Sequence, residues 1–123
     1  MGKKKKLKES EILVNIAIKG LQDKKGKNIV CVDLKDFDNA VCDYFILCTG
    51  TSNTHVNALA DSASEEIRKT LHEKPWHSEG FGNAEWIILD YVNTVVHIFQ
   101  EDSRNFYNLD GLWADAKITK IEE

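Results

Sequence analysis

The sequence has few residues that break or cross-link a chain, and it lacks any long apolar run. Among its 123 residues are one proline and three cysteines, an odd number without a C-x-x-C spacing. Such a set argues against a disulfide scaffold and a zinc site, and it indicates a reducing compartment. The apolar stretch from Ile12 to Ile18 is interrupted by Asn15 and is far shorter than the roughly 20 residues that cross a bilayer. We therefore expect no membrane span.

The first residues do not resemble a targeting segment. The run Lys3 to Lys6 is not followed by the apolar core and cleavage site of a secretion signal, and it lacks the Arg- and Ser-rich character of a transit peptide. Lys6 stands where an N-myristoylation motif beginning at Gly2 requires Ser or Thr. These absences predict a cytoplasmic protein.

Charge is unevenly distributed along the chain. The net charge is −4, and a dense group of the 16 Lys and Arg residues lies before residue 28, so the remaining body is acidic. A mostly acidic chain is a poor generic nucleic-acid binder, because phosphate neutralisation needs clustered basic residues. An acidic body favours a basic partner, although solubility alone also accounts for it.

Hydrophobic periodicity predicts one domain of alternating helices and strands. Helices are expected from residue 7 or 10 to residue 25 and over 53–73, strands over 28–34, 44–49, 85–91 and 94–99, and one or two short helices over 101–116. This order predicts an α/β (α+β) fold, a single mixed β-sheet packed with helices, over residues 9–118. A flexible lysine-rich terminus, 1–8, would precede the domain, and a short tail, 119–123, would follow it.

Two segments predict how the sheet is connected. The run from Tyr44 to Thr49 has almost no polar alternation, which is typical of a central strand buried on both faces. The helix after it carries one apolar stripe and cannot continue past Pro75. Only Val92 and Asn93 separate the last two strands, which are therefore expected to form an antiparallel hairpin. A parallel step through the long helix completes the simplest topology.

The turn Gly50-Thr51-Ser52 lies between a strand and a helix, where nucleotidyltransferases also carry a Gly-Ser turn. Those enzymes hold Mg²⁺ on paired acidic residues of the next strand, where this chain offers only Asp90; Asp36 and Asp38 come before the turn. We interpret the turn as a helix cap. The four histidines, His55, His72, His77 and His97, have no metal-ligand spacing. We expect no catalytic residue, metal site or cofactor.

The predicted hairpin mixes aromatic, acidic and histidine side chains. Trp86, Ile88 and Asp90 share one face of the first strand, and Val95, His97 and Phe99 share one face of the second. Aromatic anchors with a few polar groups are typical of protein interfaces. The alternative is that Trp86 and Phe99 belong to the core, with the polar residues near strand ends.

Several sequence blocks follow one another in order from residue 43 to residue 116. The blocks are D-Y-F-I-L-C-T-G-T-S (43–52), H-V (55–56), A-L-A (58–60), E-G (79–80), E-W-I-I-L-D-Y (85–91), V-V-H-I-F (95–99) and R-N-F-Y-N-L-D-G-L-W-A-D-A (104–116). Together they resemble the ribosomal silencing factor family, also called the Iojap family, and the likeness covers roughly residues 10 to 117. At Asp110 the family usually has glutamate, so the charge is kept and the reach is shorter.

The resemblance implies a nucleotidyltransferase-like fold without the catalytic carboxylates. It also implies a non-enzymatic protein that binds the large ribosomal subunit through ribosomal protein L-fourteen. The bound factor would block joining of the small subunit and repress translation when nutrients are scarce. Members of the family can form homodimers. Residues expected at the partner-binding surface, from the motif blocks and the acidic-aromatic mixture, are Glu79, Trp86, Asp90, Tyr91, His97, Phe99, Glu101, Tyr107 and Trp113.

Two other functions fit parts of the sequence. An enzyme related to nucleotidyltransferases, using the Gly50-Thr51-Ser52 turn, would bind nucleotide and Mg²⁺. An RNA-binding adaptor would use the Lys3 to Lys6 run, and its affinity for RNA would fall steeply with salt.

Overall fold

The computed structural model describes residues 2–122, with side chains from Ser10 onward. Four helices and six strands make up this part of the chain. The helices are α1 (Gly2–Asp23), α2 (Asn53–Leu71), α3 (Glu101–Tyr107) and α4 (Leu109–Leu112). The strands are β1 (Lys27–Asp33), β2 (Tyr44–Gly50), β3 (His77–Glu79), β4 (Trp86–Asp90), β5 (Thr94–Gln100) and β6 (Lys117–Lys120).

The strands form one mixed sheet in the order β3-β4-β5-β2-β1-β6. The central strands β2 and β5 run parallel, and α2 lies in the connection between them. β4 and β5 pair antiparallel, with Ile88 opposite His97. These findings confirm the mixed α+β class, the buried central strand and the hairpin. None of the helices in residues 2–122 is long and apolar enough to cross a membrane.

The first face of the sheet is covered by α1 and α2. The apolar stripe of α2 is fully buried there, as its spacing predicts. α1 packs closely against α2 because Gly20 has no side chain: a Cβ at this position would lie 2.8 Å from the Cα of Ala63. The glycine weakens the helix locally, and the close helix contact explains why it is tolerated.

The ends of α2 follow ordinary capping rules. The Ser52 side chain accepts a hydrogen bond from the His55 backbone N–H at 3.1 Å, so it is the N-cap. At the other end His72 adopts the left-handed conformation, with φ 57°, and its N–H donates to the Arg68 carbonyl. The helix therefore ends at Leu71, slightly before the predicted end at residue 73.

The second face of the sheet carries a separate apolar cluster. Val32, Leu47 and Phe99 form its centre, and α3, α4 and the loop between β1 and β2 cover it in part. These coverings are short, so much of the β3–β4 side of this face stays accessible. The exposed and half-buried side chains described below lie on this side.

Two strands and the start of α1 also differ from the sequence-based prediction. β3 and β6 were not predicted, because three or four exposed residues carry no periodic signal. β6 pairs antiparallel with β1 along its whole length, as far as Lys120. The Ile121 N–H then donates to the Ile29 carbonyl at 2.9 Å. The sheet thus continues beyond residue 118, where the sequence placed a tail. Helix α1 begins at Gly2; the lysine side chains before Ser10, and their predicted RNA contact, lie outside the described side chains.

Candidate functional site

The second face of the sheet brings together the two sets of side chains that the sequence placed on the hairpin. In the β4–β5 register Trp86 lies opposite Phe99, Ile88 opposite His97 and Asp90 opposite Val95. Side chains of opposed residues project to the same side of a sheet. Glu79 pairs with Ile88 and so joins the same face from β3.

Rings from six parts of the chain form a continuous aromatic belt across this face. We define the aromatic belt as Phe37, Phe45, Trp86, His97, Phe99, Tyr107 and Trp113. Ring-centroid distances between neighbours run from 4.6 Å, for Phe45–His97 and Trp86–Tyr107, to 6.2 Å, for Phe45–Trp113. Aromatic pairs in this range add attraction beyond the burial of their area.

Trp86 is held in place by three neighbours. Its ring stacks on Phe99 at 5.0 Å and lies 4.6 Å from Tyr107. Its indole Nε1–H donates to His97 Nδ1 at 3.1 Å. The ring is nevertheless only half-buried, so a large, preorganised side chain is presented to solvent.

The belt has a buried floor and an accessible rim. Phe99 is fully buried and His97 nearly so, which means that they support the surface from below. Trp86 and Trp113 are half-buried and Tyr107 is exposed. Phe106 and Leu112, beside the belt on α3 and α4, are 81% and 69% exposed. The accessible rings and Leu112 form the apolar part of a surface that suits a protein partner.

The His97 ring is neutral in the folded protein. Nδ1 accepts the Trp86 hydrogen bond, so the proton lies on Nε2, which is buried and has no partner among the described residues. Burial disfavours the charged ring and lowers the pKa of His97 to about 4. Protonation would place a charge beneath the belt and remove the acceptor for Trp86.

The free energy of unfolding is expected to decrease as the pH is lowered, because of His97. The pKa of His97 is about 4 in the folded protein, against 6.5 for an unperturbed histidine. As the pH falls, the unfolded chain therefore takes up the proton before the folded protein does. The contribution is complete above pH 6.5 and is lost as pH falls toward 4, by about 3 kcal/mol. Urea unfolding of wild type and His97→Gln at several pH values measures it. The glutamine does not titrate, so an equal slope in both proteins between pH 6.5 and 4 would contradict this assignment.

Arg104 clamps α3 and α4 onto the sheet. Its guanidinium donates to both carboxylate oxygens of Asp110, at 3.1 and 2.9 Å. It also donates to the Asn28 carbonyl at 2.6 Å and the Thr49 hydroxyl at 2.9 Å. The hydrogen bonds from Arg104 lower the pKa of Asp110. Asp110 thus forms a bidentate pair with Arg104, although an aspartate side chain is one methylene shorter than a glutamate side chain.

Replacing Arg104 by methionine is expected to destabilise the protein by about 2 kcal/mol. The substitution keeps most of the side-chain volume but removes four hydrogen bonds from a side chain that is 11% exposed. Urea unfolding measures the loss. Arg68→Met is the matched control, because Arg68 forms an exposed pair with Glu65 and should be dispensable. Equal stability of the two variants would show that the clamp contributes nothing special.

A cavity of about 710 Å³ lies beside this clamp, away from the belt. Its lining includes Asn28, Thr49, Arg104 and Asp110, whose polar groups already bond to one another. Glu101 also lines it and is exposed. The structure therefore separates Glu101 from Asp90, which lies at the opposite end of the strands.

The remaining predicted contact residues lie in different surroundings. Glu79 is exposed on the edge strand β3, 3.5 Å from the His77 ring. Asp90 is half-buried, and its carboxylate accepts the Val92 N–H at 2.8 Å. Tyr91 faces the other way: it packs in the core of the first face, and burial raises its pKa to about 12. Glu79 and Asp90 thus border the belt, and Tyr91 does not.

The Gly50-Thr51-Ser52 turn is occupied by the chain's own groups. The Thr51 N–H donates to His55 Nδ1 at 2.9 Å, and His55 Nε2 donates to the Lys24 carbonyl at 2.7 Å. With Ser52 capping α2, the turn joins the end of α1 to the start of α2. Within residues 2–122 no group of three His, Cys, Asp or Glu residues is placed to hold a metal ion.

The sequence-based site left out several accessible apolar residues. Phe106 and Leu112 lie beside the belt, and Trp76, Val41 and Val92 form another exposed group near Asp90. Phe106 and Leu112 lie within the last family block, so their position was a usable signal. Trp76 follows Pro75 directly, and nothing in its local pattern indicates exposure.

Comparisons with known proteins agree with these features. Residues 7–123 match the family model described as ribosomal silencing factor during starvation. The chain is 38% identical over 102 residues to the ribosomal silencing factor RsfS of Haemophilus influenzae, in an alignment that covers 83% of this chain and 98% of the relative. It is 33% identical over 113 residues to the protein of that name from Halalkalibacterium halodurans, covering 89% and 92%.

Solved structures and a more distant relative extend the likeness. The crystal structure of protein CV0518 from Chromobacterium violaceum superposes with a TM-score of 0.80 at 29% identity, covering 92% of each chain. The mouse protein named mitochondrial assembly of ribosomal large subunit protein 1 is 24% identical over 102 residues, 81% of this chain and 44% of the mouse protein. Because the family model matches residues 7–123, nearly the whole of this chain, the chain belongs to the ribosomal silencing factor family.

Proposed function

We propose that the aromatic belt is the surface through which this chain binds the large ribosomal subunit. The observation that carries the proposal is Trp86, a half-buried indole fixed by His97, Phe99 and Tyr107 yet open to solvent. Fixed aromatic side chains of this kind dominate the binding energy of protein interfaces. The bound factor blocks access of the small subunit sterically and so represses translation without turnover.

Charge supports a basic protein as the direct partner. Glu79, Glu85 and Asp102 are exposed around the Trp86 end of the belt, and Glu85 and Asp102 line a shallow groove with Phe106 and Tyr107. Opposite charges speed encounter and fix orientation, while desolvated rings hold the complex. Ribosomal protein L-fourteen, implied by the family resemblance, is the partner we propose, and the ribosomes of the cytoplasm are the place of action.

Names of the relatives support a ribosomal partner. The bacterial proteins are called ribosomal silencing factors, and the mouse protein is named for assembly of the ribosomal large subunit.

A sucrose-gradient association assay tests the proposal. Purified large subunits are mixed with the protein, and small subunits are added at a Mg²⁺ concentration that normally permits joining. We expect the protein to sediment with large subunits and the joined peak to shrink. Lys69→Ala, on the exposed side of α2, should behave as wild type. A protein that stays at the top of the gradient while joining is normal would refute the proposal, and nucleotide with Mg²⁺ would then be tested for thermal stabilisation.

A further inference from the structure

A notch lies at the end of the second face, beyond the aromatic belt. It has a volume of about 360 Å³ and adjoins the turn between β4 and β5. Its lining comes from three separate parts of the chain: Val41, Cys42, Trp76, Asp90, Val92 and Val95. Asp90 and Val95 belong to the second face, so the notch is continuous with the surface proposed to bind the ribosome.

The walls of the notch are unusually exposed for apolar side chains. Val41 is 87% exposed, Trp76 is 77% exposed and Val92 is 57% exposed. Single exposed apolar residues are ordinary, but a cluster of three around one depression marks an interaction site. Trp76 is anchored through its backbone, whose N–H donates to the Asp90 carbonyl at 2.7 Å.

The base of the notch carries negative charge. Asp90 Oδ1 accepts the Val92 N–H at 2.8 Å, while Oδ2 has no hydrogen bond among the described residues. Cys42 and Asp90 both line the notch. Burial, together with the Asp90 and Asp43 carboxylates, raises the pKa of the Cys42 thiol to about 11. No basic side chain lines the notch in the described part of the chain. A cation is therefore the missing complement.

We propose that this notch receives an arginine side chain of the protein partner. The guanidinium stacks on the Trp76 indole and donates to Asp90 Oδ2, and its aliphatic stem lies against Val41 and Val92. An apolar side chain would bury the Asp90 carboxylate without a partner, which is unfavourable. Lysine fits less well, because an ammonium does not stack in a planar manner on an indole. The inference rests on the proposed function, since it assigns a residue type of the partner to one part of that interface.

Two substitutions test the subsite in the large-subunit binding measurement. Asp90→Asn removes the charge but keeps a carbonyl oxygen for the Val92 N–H, and Trp76→Ala keeps the backbone hydrogen bond. We expect each to raise the dissociation constant about tenfold. The double variant should lose less than the product of the two effects, because both residues contact one guanidinium. Asp61→Asn, the same charge change on exposed α2, should have no effect.

A second measurement makes failure of the subsite distinguishable from failure of the proposed function. The tripeptide acetyl-Gly-Arg-Gly-amide, or its citrulline counterpart, is titrated into labelled protein while the Trp76 indole N–H resonance is followed. Arginine should shift this resonance more than citrulline does, and Asp90→Asn should abolish the difference. Equal shifts with both peptides would overturn the subsite, whether or not the protein binds ribosomes.

The binding results have equally definite readings. If Trp86→Ala abolishes large-subunit binding but Asp90→Asn and Trp76→Ala leave it unchanged, the belt functions without the notch and the inference is overturned. If Trp76→Ala instead converts a dimer to a monomer in sedimentation and leaves subunit binding intact, a second copy occupies the notch, and the inference is again overturned.

Discussion

Replacing Trp86 by alanine is expected to weaken binding to large ribosomal subunits about 100-fold. The substitution removes the accessible ring at the centre of the Trp86–Phe99–Tyr107 contacts. It also leaves the His97 Nδ1 acceptor without the indole donor. Both losses act on the same surface, so the effect should exceed that of any acidic residue at the rim. Binding of fluorescently labelled protein to purified subunits gives the two dissociation constants.

Controls for this prediction separate folding from binding. Circular dichroism and thermal unfolding establish whether the variant is folded, since Trp86 is half-buried. Trp86→Phe keeps a ring against Phe99 but cannot donate to His97, so its affinity should lie between wild type and Trp86→Ala. If folded Trp86→Ala binds subunits as tightly as wild type, the belt is not the interface.

Replacing Phe99 by alanine is expected to reduce the free energy of unfolding by about 3–5 kcal/mol. Phe99 is fully buried on the central strand β5 and carries the Trp86 ring on one side. Removing it leaves a cavity under the Trp86 ring. A loss of this size is a large share of the total stability of a domain this small. Urea unfolding followed by tryptophan fluorescence measures it.

Phe106→Ala is the matched control for Phe99→Ala. Phe106 is 81% exposed, so its removal should change the unfolding free energy by less than about 0.5 kcal/mol. The same substitution should weaken subunit binding, because Phe106 lies against Tyr107 at 5.0 Å beside the belt. Equal destabilisation by the two substitutions would mean that Phe99 does not support the sheet as described.

The central part of the fold was predictable from the sequence because its signals are local. The apolar run of β2 and the stripe of α2 each depend on burial of neighbouring residues. β3 and β6 were not predicted because they are short edge strands whose residues are all exposed. Their pairing depends on β4 and β1, which are distant or separated by turns, and no local pattern encodes it.

The sequence predicts which side chains share the face of the candidate site, but not how deeply each of them is buried. Period-two alternation places Trp86 and Phe99 on opposed strands, yet it cannot show that Phe99 is covered and Trp86 is not. Tyr91 belongs to the same sequence block as Trp86, but its side chain packs in the core on the first face of the sheet. Trp76 could not be assigned to a site from the sequence, because it lies beside Val92 of the β4–β5 turn only in the folded chain. The exposure of a ring is decided by tertiary covering, which composition and spacing do not contain.

The C-terminal end of α1 and the last described residues meet beside the β1–β6 edge of the sheet. The Gln22 side chain donates to the Glu122 carbonyl, and Arg104 reaches back to the Asn28 carbonyl. Contacts between such distant residues give a high contact order, so folding should be slow for a chain of this size. A chain cut before residue 117 would keep every ring of the belt and the Arg104 clamp, but β1 would lose its pairing with β6 and become an exposed edge of the sheet.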